Sequence, residues 1–333
     1  MRRGYLVLEN GRVFEGLRFG AERESTGELV FTTNMVGYLE TLTDPGYLGQ
    51  IVVQTFPSIG NYGVIPSDFE SLRPWLTGYI VREWCESPSN FRCEGDLHEY
   101  LQTVDIPGLC GLDTRALTRL LRTTGVMRAK ISDEPFADFA SMSLVTGVSS
   151  RGITVQRPED PSTRVALWDF GVKNSIMQAL LQGGCEVHTF PADIDTATIL
   201  ACKPDRVLLS NGPGDPTIHT NIIENLNTLI RSEIPIIGIG LGHQLLALAF
   251  GAKTAKLKYG HRGANQPVQH LPTGRVYATT QNHGYAVQLD GLPFGVEPNY
   301  VNTNDGTCEG LTYTEFPAES VQFHDIEVIK CRF

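Results

Sequence analysis

Ile236-Ile237-Gly238-Ile239-Gly240-Leu241-Gly242-His243-Gln244-Leu245-Leu246-Ala247-Leu248-Ala249 is the stretch whose reading decides the fold. Its first four residues are an apolar, β-branched run, as a buried strand requires. Glycines then punctuate the chain, and a Leu/Ala-rich segment of helical length follows. A strand that turns sharply into a helix lifts one side chain above the sheet, the geometry of a nucleophile elbow. It also leaves backbone N–H groups at the helix start, where they can hold an oxyanion.

Working outward toward the N-terminus, the same alternation repeats. Val165-Ala166-Leu167-Trp168 reads as a buried strand, followed by Asp169-Phe170-Gly171 and a helix over 173–182. Residues 186–190 give the next strand, and 194–201 a helix. Arg206-Val207-Leu208-Leu209-Ser210 is a third strand, ending in Asn211-Gly212-Pro213-Gly214-Asp215-Pro216, and a helix over 222–230 leads into the strand at 236. Strands alternating with helices of about ten residues predict an α/β domain with a doubly wound, mostly parallel sheet. Ligands of such sheets bind outside the carboxyl ends of the strands, so the residues just after each strand carry the information.

The rest of the chain has a different character. Residues 149–164 (SSRGITVQRPEDPSTR) hold two prolines and little apolar periodicity, and read as a linker. Residues 1–148 read as a β-rich mixed domain, with short strands at Leu6-Val7-Leu8 and Leu29-Val30-Phe31. One helix is clear. Asp113 can cap it, Leu117, Leu120 and Leu121 form its apolar stripe, and Gly125 ends it. The expected organisation is therefore 1–148, a linker at 149–164, and an α/β domain over 165–333.

Bulk properties agree. A chain of 333 residues is most simply two domains, since single cores rarely grow beyond about 250 residues. Hydrophobic residues at 41% and charged residues at 19% supply packed cores without a bias to disorder. A net charge of −10 argues against a nucleic-acid or anionic-membrane partner. The apolar run after Arg2-Arg3 is too short for a signal-peptide core of roughly 7–15 residues, and no stretch approaches the roughly 20 apolar residues of a membrane span. A cytoplasmic location is expected. The seven cysteines are scattered, lack CxxC spacing and read as small buried hydrophobes, so no metal site is expected. Asp169-Phe170-Gly171 matches a kinase magnesium triplet, but the rest of the kinase set is absent.

The run Gly238 to Lys253 (GIGLGHQLLALAFGAK) resembles the elbow of class I glutamine amidotransferases, whose turn reads Gly-x-Cys-x-Gly-His-Gln. The similarity continues through Leu209 to Pro216, through Gln281-Asn282-His283-Gly284-Tyr285-Ala286-Val287, and through Ser320-Val321-Gln322-Phe323-His324. In the first domain, Phe31 to Glu40 (FTTNMVGYLE), Leu42-Thr43-Asp44-Pro45, Ile59-Gly60-Asn61-Tyr62-Gly63 and Ile106 to Arg115 (IPGLCGLDTR) are similar to the domain particular to carbamoyl-phosphate synthetase small subunits. The resemblance covers nearly the whole chain.

It implies that a cysteine thiolate attacks the glutamine side-chain amide to give a thioester, with a histidine moving protons and a glutamate orienting it. Ammonia then passes to a large subunit, which makes carbamoyl phosphate for arginine and pyrimidine synthesis. Implied partners are that large subunit and L-glutamine. ATP and Mg would be held by the large subunit, with no cofactor on this chain.

Carried over position by position, the glutamine contacts are Gly46, Gly212, Gly214, Leu241, Gln244, Asn282, Gly284 and Tyr285, and the catalytic histidine is His324. Leu241 and the loop bearing Gly212 and Gly214 would supply the oxyanion-hole N–H groups. Three departures stand out. Gly240 occupies the nucleophile position, and no cysteine lies within ten residues of it. The Pro-Glu-Ala-Ser-Pro-Gly-Pro loop that should follow the histidine is missing, since Asp325-Ile326-Glu327-Val328-Ile329 fits the segment beyond it and the chain stops early, at Phe333. Glu327, three residues after His324, therefore does not replace the orienting glutamate. Gly46 stands where many members have a serine.

Plainer readings stand beside these. Gly240 relieves a strained bend whatever its chemistry. Gly212 and Gly214 are suited to a tight loop by themselves. His243 and His283 read as packing or hydrogen-bonding residues. Two functional classes remain open on the sequence: a glutamine-handling enzyme subunit with impaired hydrolysis, and a non-catalytic binding or regulatory module of an ammonia-dependent synthetase. A different amidotransferase, of the anthranilate or guanylate type, is disfavoured by the first-domain motifs.

Overall fold

The computed structural model describes residues 2–139 and 147–324. Packing divides the chain into two units, residues 1–146 and 147–333.

In the first unit, seven strands close into a barrel. Their order is Arg3–Leu8, Val13–Gly20, Pro107–Cys110, Gly78–Ile80, Gln50–Gln54, Ser25–Thr32 and Met127–Ser132, which returns to the first. Closure removes the unpaired strand edges that invite association. The predicted strands around Leu6–Leu8 and Leu29–Phe31 are present and longer than the apolar triplets suggest. The predicted helix is Thr114–Thr124: Asp113 accepts from the Ala116 N–H at 2.9 Å, and Gly125, at φ 96°, closes it onto the Leu121 carbonyl. Thr114, Leu117 and Leu121 are its buried residues, and Leu120 is half-buried.

Two sequence motifs of this unit meet in space. The Tyr62 hydroxyl accepts from the backbone N–H groups of Gly37 and Tyr38, at 3.0 and 3.2 Å. Tyr38 stacks on the Tyr62 ring and donates to the Gly63 carbonyl. Nearby in sequence, Asp44 accepts from the N–H of Gly46 at 2.8 Å, forming the short turn Pro45–Tyr47.

In the second unit, ten strands form one mixed sheet. Its order is Thr154–Gln156, Cys185–Pro191, Thr163–Asp169, Arg206–Leu209, Ile236–Ile239, Ala318–Val321, Cys308–Tyr313, Val296–Asn302, Thr254–His270 and Val276–Val287. The five strands from Cys185–Pro191 to Ala318–Val321 run parallel, and the others join antiparallel. The α/β class therefore stands, with a long antiparallel arm that the helix-and-strand alternation does not signal.

Alternation along the parallel strands buries both faces, as crossover helices demand. Ala166, Trp168, Val207, Leu209 and Ile236 pack with Leu226 and Leu229 of helix Thr220–Ile230 and with Leu245 and Leu246 of helix Leu241–Ala249. Val165, Leu167, Leu208, Ile237 and Ile239 pack on the opposite side with Ile176 and Leu180 of helix Asn174–Gln182.

Residues 149–164, read as a linker, include the strand Thr154–Gln156, which pairs along the edge of Cys185–Pro191. All three of its residues are exposed, so backbone pairing adds it to the sheet without leaving an apolar pattern. Among the described residues, no helix is long and apolar enough to cross a membrane.

Helix Leu241–Ala249 lies very close to the sheet because position 242 has no side chain. A Cβ on Gly242 would fall 2.3 Å from the Leu209 carbonyl oxygen. Gly242→Ala is therefore expected to destabilise the protein by about 1–3 kcal/mol, the usual cost of overpacking, despite the roughly 1 kcal/mol that alanine gains in a helix. The denaturant midpoint, at unchanged slope, measures it.

Candidate functional site

The strand Ile236–Ile239 ends at a bend whose backbone only glycine adopts comfortably. Gly240 has φ 56° and ψ −111°, and an L side chain there is strained. The bend is held by the adjacent parallel strand, because the Gly240 N–H donates to the Val321 carbonyl at 2.9 Å. The helix begins at the next residue. Its second N–H, from Gly242, is already taken by the Ser210 carbonyl at 3.0 Å.

Three residues after Val321 comes His324. Its backbone N–H donates to the Thr280 carbonyl at 2.9 Å, and the Gln322 N–H to the Glu309 carbonyl at 2.9 Å, so the antiparallel arm holds this segment. The buried Phe323 ring meets Tyr300 edge-on. The result is a defined geometry: a Cβ built on Gly240 would lie 2.8 Å from His324 Nε2 and 3.1 Å from Asn211 Cβ. The side-chain direction of position 240 thus points at the histidine ring.

Other predicted residues gather around this pair. Gly212 abuts Leu241, since a Cβ on it would fall 2.9 Å from Leu241 Cδ2 and 2.4 Å from the Phe170 carbonyl oxygen. Its loop is anchored by Asn211, whose Nδ2 donates to the Gly171 carbonyl at 2.8 Å. Gln244 is buried and uses its Nε2 to reach both the Tyr285 carbonyl and Gln322 Oε1, each at 2.8 Å. That bond ties the helix to strand Val276–Val287, which carries Asn282, Gly284 and Tyr285. Gly214 is exposed at φ 96°, with open space where a Cβ would be. Gly46 lies in the first unit, in the Pro45–Tyr47 turn. Glu327 lies outside the described residues.

His243 is a structural residue, as its sequence context suggests. It is fully buried, with Nδ1 at 2.8 Å from the Ser320 hydroxyl. Burial lowers its pKa to about 3.

Four of the described cysteines are held toward their thiol form. A thiolate is the nucleophilic form, and burial moves Cys110, Cys185 and Cys202 upward and Cys308 up to about 12. An imidazole faces the bend, but position 240 has no side-chain atom with which to form a covalent bond.

Sequence reasoning missed a second group of buried polar residues on the same antiparallel arm, His261, Arg262 and Glu309, with Asp305 beside them. Arg262 is buried and donates to the Tyr259 carbonyl at 2.8 Å, and its Nη2 would lie 3.3 Å from a Cβ on Gly284. These residues meet only through strand pairing, such as His261 opposite His283, so no local spacing announces them.

Comparison with known proteins gives the family of both units. The family described as "Carbamoyl-phosphate synthase small chain, CPSase domain" matches residues 6–131, and "Glutamine amidotransferase class-I" matches residues 166–325. A carbamoyl phosphate synthase small chain from Bacillus cereus is 46% identical over 327 residues, covering 96% of this chain and 89% of that protein. One from Clostridium perfringens is 46% identical over 331 residues, covering 96% and 93%. The chain belongs to the carbamoyl phosphate synthase small chain family. A solved glutamine amidotransferase from Thermotoga maritima covers 49% of this chain and 75% of its own, at 18% identity and a TM-score of 0.40, too low to bear on the fold. As a small chain, the molecule carries a class I glutamine amidotransferase unit whose elbow residue is glycine.

Protonation of His243 should be visible as acid lability. The unfolded ring titrates near 6.5 and the folded one near 3, so its stabilising effect is whole above about pH 6.5. As pH falls from there toward about 3, that effect is lost, at up to about 1.4 kcal/mol per pH unit. In NMR, the His243 ring resonances are expected to keep their neutral shifts until the acid unfolding transition. Titration of this ring in the folded protein near pH 6 contradicts that burial.

Proposed function

We propose that this chain is the glutamine-side subunit of a carbamoyl phosphate synthase in which glutamine hydrolysis by the small chain is impaired. One observation carries the reading: the side-chain direction of position 240 leads to His324 Nε2, and the residue there is glycine. In the family reaction a thiolate sulfur bonds to the glutamine amide carbon, the C–N bond breaks and ammonia leaves with a proton delivered by the histidine. Without sulfur at 240 neither acyl-enzyme nor ammonia forms by this route. Oxyanion donors from Leu241 and the Gly212 loop then stabilise nothing on the usual path.

In this reading His324 keeps the position of the proton-transfer residue, and Gly212, Gly214, Leu241, Gln244, Asn282, Gly284 and Tyr285 are the second unit's glutamine contacts. The orienting carboxylate is lost with the loop after His324, where Asp325-Ile326-Glu327 now follows. The partner is the large subunit, which holds ATP and Mg and completes the ligase reaction that feeds arginine and pyrimidine synthesis, in the cytoplasm. No cofactor is assigned to the chain's own glutamine chemistry.

A second reading is favoured by the same site. A pocket that retains its packing while lacking the nucleophile suits a binding or regulatory module docked on a synthetase that uses free ammonia.

The test is a reconstituted complex of this chain with its large subunit, assayed with ammonia and with glutamine. Ammonia-dependent synthesis is expected. Glutamine-dependent synthesis is expected to fall by about 10⁶, the loss that follows removal of the nucleophile in a serine protease. Ordinary glutamine-dependent rates would overturn the assignment of Gly240. The Gly240→Cys variant is expected to regain only a small part of the rate, because the restored Cβ crowds His324 and the glutamate-bearing loop that follows the histidine in the family has no counterpart in the sequence. Full rescue by that change alone would show that the loop is dispensable.

A further inference from the structure

Three side chains from three strands bring their ligand atoms within 4.8 Å of one another in the interior of the antiparallel arm: His261, His283 and Glu309. Glu309 is wholly buried and both rings are nearly so. Their outer atoms are fixed. His261 Nε2 lies 2.9 Å from Asp305 Oδ2, and His283 Nδ1 lies 2.8 Å from the Tyr285 carbonyl oxygen. A carbonyl or carboxylate oxygen accepts, so each of these nitrogens carries the proton. In the neutral rings, the form that binds a metal, His261 Nδ1 and His283 Nε2 are then lone pairs directed inward.

What they face are further acceptors. His261 Nδ1 is 3.2 Å from Glu309 Oε1. His283 Nε2 is 3.1 Å from Gln281 Oε1 and 3.9 Å from Glu309 Oε1. Gln281 cannot readily reverse its amide, because its Nε2 donates to Glu309 Oε2 at 2.9 Å and to Thr279 Oγ1 at 3.1 Å. An inward donor, Asn302 Nδ2, stands off at 3.4 Å from His261 Nδ1 and 3.5 Å from Glu309 Oε1, long for a hydrogen bond. A proton on His261 would satisfy a single contact. A cation satisfies both nitrogens and the carboxylate together, and its charge offsets the burial of Glu309.

We propose that His261 Nδ1, His283 Nε2 and Glu309 Oε1 form a binding site for a divalent metal ion of the zinc class. Two imidazoles and a carboxylate are an established zinc donor set. Bonds of about 2.0–2.2 Å separate tetrahedral ligands by roughly 3.4 Å, so the two edges to Glu309, 3.2 and 3.9 Å, need adjustments of a few tenths of an ångström, and the edge between the two imidazole nitrogens, within 4.8 Å, closes by up to about 1.4 Å through rotation of the rings. Gln281 Oε1 is the nearest candidate for a fourth position. The carboxylate and carbonyl on the outer nitrogens are the partners that metal-bound histidines ordinarily use. Such an ion would cross-link strands Thr254–His270, Val276–Val287 and Cys308–Tyr313, and would fix the segment whose residues Asn282 and Gly284 flank His283.

The test uses the full chain, stripped with a chelator and titrated with Co²⁺, then with Zn²⁺. One equivalent of Co²⁺ is expected to give a visible d–d band that Zn²⁺ abolishes. Glu309→Gln should lose the band while circular dichroism reports a folded chain. Asp305→Asn, whose contact with the cluster is the outer nitrogen of His261 while its other oxygen accepts from Thr307, should weaken Co²⁺ binding by about 10–100-fold, and it decides the matter if Glu309→Gln does not fold. No band with folded wild-type chain, a band that survives in Glu309→Gln, or unchanged affinity in Asp305→Asn overturns the site.

Discussion

The site depends on one constraint, the backbone bend at position 240. Its φ and ψ lie where an L side chain is strained, and it is held by a cross-strand bond from the Gly240 N–H to the Val321 carbonyl. Because Val321 ends the strand that runs on to His324, the bond that makes the bend also aims the histidine at it. Strand order does the rest. The edge shared by Ile236–Ile239 and Ala318–Val321 is where parallel and antiparallel portions of the sheet meet, so residues from both converge there.

Strain explains why glycine suits this bend. A cysteine at such a bend stores backbone strain of about 1–3 kcal/mol, repaid only by the reaction it performs. Glycine avoids that strain, and the packing around the bend is held by its neighbours: Gln244 spans Tyr285 and Gln322, and His243 rests on Ser320. In the proposed reading the fold and the chemistry are separable at this position.

Much of this was legible in the sequence where the signal is local. The strand, turn and helix at 236–249 could be read from apolar runs and glycines, and the Asp113 cap and Gly125 stop from their positions. The class of the second unit followed from the alternation of strands and helices. Non-local pairing was not legible. Strand Thr154–Gln156 is exposed on every residue and shows only as backbone bonds to Cys185–Pro191. The antiparallel arm is assembled from segments such as Thr254–His270, whose burial follows bulges rather than a strict period. For the same reason the His261, His283 and Glu309 cluster has no signature in the sequence. Position 240 was legible for the opposite reason: a missing side chain in a continuous motif is visible without any structure.

The most direct measurement is covalent trapping. The chain, with its large subunit, is incubated with radiolabelled glutamine, quenched in acid and separated from free label under denaturing conditions. The account predicts no label on the small chain, because no residue at the bend can be acylated. Stoichiometric label that hydroxylamine releases, as a thioester would allow, contradicts it.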